Sequence, residues 1–241
     1  DIVIHKMNQT NFWIDFALIL NNVVNTSIEF NDNKSALNYI NFQMKNILYP
    51  KLKLFTNEAN EYLLKRDNEN CKIKKDVEHI LQCLKILMLD IQFDNNVIIM
   101  SSYQTRLNLI NDFDIDIGIL VKNLDNSKFS VLYHYLENNG YKFIKTINPT
   151  SIKNCYHSFQ KNINNIEVEV KVRDMDYCKI IVDLHNYLDN NLSEEERSLF
   201  TYAKYKLKNL EDISGYKCFK KLIYEYGFSC TNPENGFLFI M

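Results

Sequence analysis

Only five glycines and three prolines punctuate the 241 residues, and this scarcity leaves no tract biased enough to serve as a disordered linker. Long apolar runs are missing too. The stretches Ile14 to Leu20 and Ile86 to Leu89 fall well short of the run of about 20 residues that a membrane span requires. No membrane partner is expected. The opening Asp1-Ile2-Val3-Ile4-His5-Lys6 lacks a basic region followed by an apolar stretch and a small-residue cleavage site. No secretory signal is read there, and an intracellular, cytoplasmic and reducing location is expected.

Six cysteines (Cys71, Cys83, Cys155, Cys178, Cys218, Cys230) are scattered with no C-x-x-C pair, which excludes a zinc ribbon and gives no disulfide framework. Reduced, mostly buried thiols are the expectation. Charge of one sign is also wanting: a formal balance of −2 supplies no global basic field to steer the chain onto nucleic acid. Any such contact must come from a local patch. Asn, Lys and Ile are abundant, as the codon bias of an AT-rich genome would produce, and that bias carries no chemistry.

What is present is a 46% hydrophobic chain, ample for a core, whose periodicity changes along its length. From Phe12 to about Gln92 apolar residues fall at helical spacing, as in Ile73, Val77, Ile80, Leu81, Leu84 and Leu87. Pro50 is expected to close a helix running from about Ser35 to Tyr49, and the polar Asp67-Asn68-Glu69-Asn70 reads as a turn. Val97 to Met100 is then a short apolar strand, and Phe113 to Val121 opens with strict alternation. Ser127 is a candidate cap for a helix carrying Phe129, Leu132, Tyr133 and Leu136, which Gly140 would end in a left-handed conformation.

Further strands are predicted at Tyr141 to Ile147, Tyr156 to Gln160 and Ile166 to Arg173, with a hairpin turn at Asn162-Ile163-Asn164-Asn165. Helix returns afterwards. Ser193 and Glu196 form a capping-box pair before Leu199 to Leu207, and Ser214 opens a helix that Gly227 ends. The pattern predicts an α+β fold, a mixed sheet with helices on one face. Its expected divisions are a helical region 1–93, a core 94–190 and a C-terminal helical region 191–241.

Alternation places Asp114 and Asp116 on one face of one strand, where two carboxylates repel unless a positive charge lies between them. Oxygen donors of this kind suit Mg²⁺. A third acidic residue is offered by Ile166-Glu167-Val168-Glu169-Val170-Lys171-Val172-Arg173. Glu169 is favoured because it lies nearer the middle of the strand, whereas Glu167 abuts the turn. The plainer alternatives are a solvated D-x-D edge and an amphipathic strand whose charges pair across its neighbours.

The order of these features over about residues 97 to 175 resembles the DNA polymerase beta-like nucleotidyltransferase superfamily. The parallel is an apolar strand Val97 to Met100, a Ser101-Ser102 turn, an alternating strand bearing Asp114-Ile115-Asp116, and an acidic strand. The resemblance implies a nucleotidyltransferase-like sheet flanked by helical regions, and NMP transfer from a bound NTP such as ATP to a hydroxyl acceptor. That acceptor would be an RNA 3′ end, a protein or a small molecule. It further implies Mg²⁺ or Mn²⁺ held by Asp114, Asp116 and Glu169, with Glu167 the alternate ligand, and Ser101 and Ser102 at the triphosphate. Arg106, Lys122, Lys171 and Arg173 are the cations available to phosphate.

The chain departs from the family pattern at Ser101, where the family has glycine, and no glycine occurs between residues 94 and 117. Glycine lets backbone amides approach phosphate closely, so this departure opens a second reading, a degenerate fold kept as a binding or assembly module. A related resemblance joins Asn154-Cys155-Tyr156-His157-Ser158-Phe159 and the Glu167-to-Lys171 strand to the alarmone (ppGpp) synthetases, which share the core fold. Cys155, Gln160, Glu169 and Lys171 differ from that family's motif.

His157 and His185 lie at no zinc-ligand spacing from the cysteines, and Asp183-Leu184-His185 reads as an exposed polar stripe. Tyr202, Tyr205, Tyr216, Phe219, Tyr224 and Tyr226 interleave with lysines. Such a pattern fits either a base-stacking surface or, more simply, a helical core face with solvated lysines between.

Overall fold

The computed structural model describes residues 2–91, 97–101, 108–110, 114–147, 156–176, 183, 186 and 190–208; for some of these, 97–101 and Asp114 among them, it describes the backbone alone. In chain order the elements are α1 (Ile2–Ile28), α2 (Asn33–Gln43), a π-helical turn (Met44–Leu48), α3 (Tyr49–Leu52), a 3-10 turn (Lys53–Phe55) and α4 (Thr56–Asp90). There follow β1 (Val97–Ser101), β2 (Asp114–Val121), α5 (Asn126–Asn138), β3 (Lys142–Ile147), β4 (Tyr156–Ile163), β5 (Ile166–Asp174) and α6 (Glu194–Lys208). They form two compact units, one of residues 1–64 with 183–241 and one of residues 65–182. Among the described residues no helix is long and apolar enough to cross a membrane.

The first unit is helical, and its centre is aromatic. Trp13, only 1% exposed, lies with its ring centroid 5.0 Å from that of Phe55 and 6.0 Å from that of Tyr202. Tyr62 stacks on Tyr205 at 4.3 Å. Tyr202 and Tyr205 thus serve packing, as aromatic residues at helical spacing usually do. Burial pushes the Tyr202 phenol up to about 12 and lowers Lys206. The aromatic positions from Tyr216 onward, and the helix expected between Ser214 and Gly227, lie outside the described residues.

Local chemistry at the helix ends explains two departures from expectation. α2 begins before Ser35, because the Asp32 Oδ1 accepts a hydrogen bond from the Ser35 backbone N–H at 2.8 Å and its Oδ2 accepts one from the Ser35 hydroxyl at 2.7 Å. Those bonds to Ser35 hold the Asp32 carboxyl below the usual carboxylate range. Pro50 does not close the helix from outside. It sits in the first turn of α3, directly after the π-helical turn, where its fixed φ suits a helical backbone. At α6 the expected box is present, with the Ser193 hydroxyl accepting from the Glu196 N–H at 3.1 Å and the Glu196 carboxylate from the Ser193 N–H at 3.2 Å.

A larger correction concerns Asp67 to Asn70, which is no turn but the middle of the 35-residue α4. The Arg66 guanidinium binds Asp67 at 2.8 Å, and Asn70 and Asn108 exchange side-chain amide bonds of 2.9 and 3.3 Å, so these polar groups are satisfied without breaking the helix. α4 also exposes Cys71 and Cys83, which are free thiols and not buried ones. The other four cysteines lie outside the described residues.

The second unit is a five-stranded sheet in the order β1-β2-β5-β4-β3, in which β2 and β5 run parallel and the other neighbours antiparallel. Ile115, Ile117, Ile119 and Val121 of β2 and Ile166, Val168, Val170 and Val172 of β5 share one face. They pack with Val77, Ile80, Leu84 and Met88 of α4 and with Leu132 and Leu136 of α5. The helices of this unit therefore cover one face, as the alternation predicts. α5 is capped by Asp125, whose Oδ1 accepts from the Lys128 N–H at 2.8 Å, and not by Ser127, which lies inside it. Gly140 ends it at φ +83, with the Tyr141 N–H returning to the Leu136 carbonyl at 2.9 Å.

His157 faces this core. Its ring centroid lies 3.9 Å from that of Phe129, its Nδ1 is 2.9 Å from the Thr146 hydroxyl, and burial lowers its pKa. Asp174, 2% exposed at the end of β5, accepts from the backbone N–H of Leu124 at 2.8 Å and of Asp176 at 3.0 Å, tying the β2–α5 connection to the sheet.

Two outcomes are expected. Asp174→Ala should lower the unfolding free energy by roughly 2–3 kcal/mol in urea titration, since a buried amide loses its charged acceptor. For His157, the folded pKa is depressed below the unfolded value of about 6.5, so on acidification the unfolded chain takes up a proton that the folded chain refuses. Stability should fall as pH drops through about 6.5. His157→Gln should flatten that part of the profile when melting temperature is followed between pH 7 and 5.

Candidate active site

The parallel pairing of β2 with β5 aligns acidic positions two by two: Asp114 lies opposite Glu167, and Asp116 opposite Glu169. Adjacent strands stand about 4.8 Å apart, so residues remote in sequence become neighbours on the sheet. Because the isoleucines and valines between them are buried, Asp116 and Glu169 stand on the face opposite the core. Their side chains are 52% and 30% exposed.

Lys171 joins them. Its ammonium lies 3.2 Å from Asp116 Oδ1 and 3.6 Å from Glu169 Oε2, and its side chain is only 12% exposed. The other carboxylate oxygen of Glu169 accepts a hydrogen bond from the Ser158 hydroxyl at 2.5 Å. Glu167 accepts one from the Gln160 amide. Glu169 is thus fixed from two sides, while Glu167 is held by β4.

The sequence brings in Ser158 and Gln160 only through the segment that resembles the alarmone synthetases and gives them no role beside the carboxylates, yet it carries a signal for that role. Asn164 and Asn165, at φ 51 and 66, form a two-residue hairpin turn flanked by the pair Ile163 and Ile166. Such a turn fixes register, and counting back from it sets Ser158 opposite Lys171 and Gln160 opposite Glu169, on the acidic face.

The remaining expected residues divide. Ser101 ends β1 opposite Ile117 of β2, one residue from Asp116 along that strand, and only its backbone is described. The Asp114 side chain, Ser102, Arg106 and His185 lie outside the described residues. Arg173 is 8% exposed and pairs in register with Leu120. Lys122 follows the far end of β2, on the order of 20 Å along the strand from Asp116, and is not brought to the carboxylates. Among the described residues no group of three or more His, Cys, Asp or Glu side chains gathers as a metal site. The donors present are nonetheless hard carboxylate oxygens, and the ammonium held between two of them shows that the site accepts positive charge there.

No family model matches the chain, and no curated protein matches it. Among solved structures, the chain is similar to a cytoplasmic RNA terminal U-transferase, with a TM-score of 0.44 and 15% identity over 65% of this chain and 45% of that one. It is also similar to the Cid1 poly(U) polymerase with Mg and 3′-dATP bound, with a TM-score of 0.34 and 16% identity over 56% of this chain and 42% of that one. The chain therefore spans less than half the length of either of these two proteins.

Proposed function

We propose that the chain is a Mg²⁺-dependent nucleotidyltransferase that moves an NMP from an NTP to a hydroxyl acceptor. The observation that supports this reading above any other is the register of β2 against β5, which sets Asp114 and Asp116 beside Glu167 and Glu169. Carboxylates so arranged would hold a divalent cation, which would supply polarisation of the attacking hydroxyl and charge neutralisation for the departing pyrophosphate.

In this reading Asp114, Asp116 and Glu169 are the metal ligands, and the hydrogen bond from Ser158 orients Glu169 for that role. Glu167 stays with Gln160 as the alternate ligand. One of the three carboxylates accepts the proton of the acceptor hydroxyl, as general-base catalysis requires of a group within hydrogen-bond reach. Ser101, Ser102 and Arg106 are assigned to the triphosphate, with the backbone at the end of β1 supplying the approach that glycine would otherwise ease. Arg173, two residues beyond Lys171 on β5 and 8% exposed, stays with Lys171 among the cations assigned to phosphate. The acceptor is an RNA 3′ end, a protein hydroxyl or a small molecule.

A second reading, a degenerate transferase fold serving as a binding or assembly module, is favoured by one specific observation. The charge of Asp116 and Glu169 is already half offset by the chain's own Lys171.

Incubation with each labelled NTP, Mg²⁺ or Mn²⁺, and either RNA or the protein itself as acceptor separates the two. The nucleotidyltransferase reading expects label transfer that falls by at least about 100-fold in Asp114→Ala/Asp116→Ala, the loss of several kcal/mol of charge stabilisation. Absence of both transfer and nucleotide binding under all these conditions leaves the module reading. In the active case, Ser158→Ala should reduce transfer by about 10- to 100-fold with the fold intact by circular dichroism, the range seen when a partner of a metal-binding group is removed.

A further inference from the structure

We propose that Lys171 is a tethered counter-cation: its ammonium holds the position between Asp116 and Glu169 in the metal-free chain, and must leave it before a divalent cation can bind both carboxylates. This rests on the reading above, that Asp116 and Glu169 are metal ligands.

Three features of the sheet converge on it. Nζ of Lys171 contacts an oxygen of each carboxylate, at 3.2 and 3.6 Å, so a single positive charge bridges the two strands. The lysine side chain is only 12% exposed, and a charge so far withdrawn from water persists only with compensating partners. Its register partner on β2 is Gly118, which has no side chain. At this position β2 therefore sets no side chain of its own between Lys171 and Asp116, two residues away along the strand.

The same arrangement makes the lysine displaceable. Asp116 remains 52% exposed, so its contact with Lys171 is made at the solvent boundary, where ion pairs are weak. Glu169 keeps its bond from Ser158 whether or not the ammonium is present, since that bond uses the other carboxylate oxygen. A divalent ion, with twice the charge and a smaller radius, outcompetes an ammonium for two carboxylates at sufficient concentration. The freed ammonium, on its flexible stem, then lies beside the site and is open to an anionic group of the substrate. Cation binding and anion binding are coupled through this one side chain.

The test is a Mn²⁺ titration of the full chain at low ionic strength, following the free-ion electron paramagnetic resonance signal, for wild type, Lys171→Met, Lys171→Gln and Lys171→Arg. Removal of the positive charge should tighten Mn²⁺ binding by at least about tenfold in the Met and Gln variants, while Lys171→Arg stays near wild type. Adding Glu169→Gln to Lys171→Met should abolish the gain, which locates the ion. Mn²⁺ binding that is equal in wild type and both neutral variants would overturn the counter-cation role and leave the metal reading standing. Binding seen only in the neutral variants supports the proposal in its strongest form. No binding by any variant would sink the metal reading itself, and this proposal with it. Melting temperatures guard against misfolding: neutral variants rescued by Mn²⁺ support a displaceable cation, whereas neutral variants that stay unfolded with Mn²⁺ mark Lys171 as a fixed structural tie and overturn it.

Discussion

Everything on the acidic face depends on the burial of the face behind it. Ile115, Ile117 and Ile119 of β2 and Val168, Val170 and Val172 of β5 are all but inaccessible to solvent. Because side chains alternate with a period of two, a slip of one residue would drive Asp116 or Glu169 into the helices and bring valines or isoleucines into water. Register is therefore set by hydrophobic burial, of the order of 1.5–3 kcal/mol per side chain, while the carboxylates, left to themselves, repel one another. The candidate chemistry is carried by groups that packing forces together.

That repulsion is answered within the same sheet. Lys171 compensates Asp116 and Glu169, Ser158 donates to Glu169, and Gln160 donates to Glu167. All three compensating groups lie on β4 or β5. The first strand bearing acidic residues, β2, brings charge without any described side chain of its own to balance it. The hairpin thus acts as a charge-matched platform on which β2 is seated.

Much of this was legible in the sequence because it rests on short-range rules. Alternation marked β2 and β5, the acidic positions within them and the α+β class. Gly140, Ser193 with Glu196, and the Asn-rich turn each follow from the conformational preferences of a few residues. What escaped reading depends on tertiary context. Asp67 to Asn70 has the composition of a turn, yet Arg66 and Asn108 give its polar groups partners and the helix runs through. Asp125 takes the cap in place of Ser127 because its own carboxylate reaches the Lys128 N–H, so the helix opens at Asn126. The resemblance makes Lys171 a cation for phosphate, whereas its pairing with Asp116 depends on the register of β2 against β5, which no local rule supplies.

The tight turn at Asn164-Asn165 has a consequence for the order in which the acidic face is built during folding. Ser158 and Glu169 are 11 residues apart in sequence, whereas Lys171 and Asp116 are 55 apart. Hairpins close in roughly 1–10 μs, and contacts between distant segments wait on the larger entropy of closing a longer loop. The β4–β5 ribbon therefore assembles with its lysine and hydroxyl already beside Glu169. When β2 arrives, its aspartates meet a surface that attracts them, and nascent chains are spared a stage at which bare like charges face each other across an unfinished sheet.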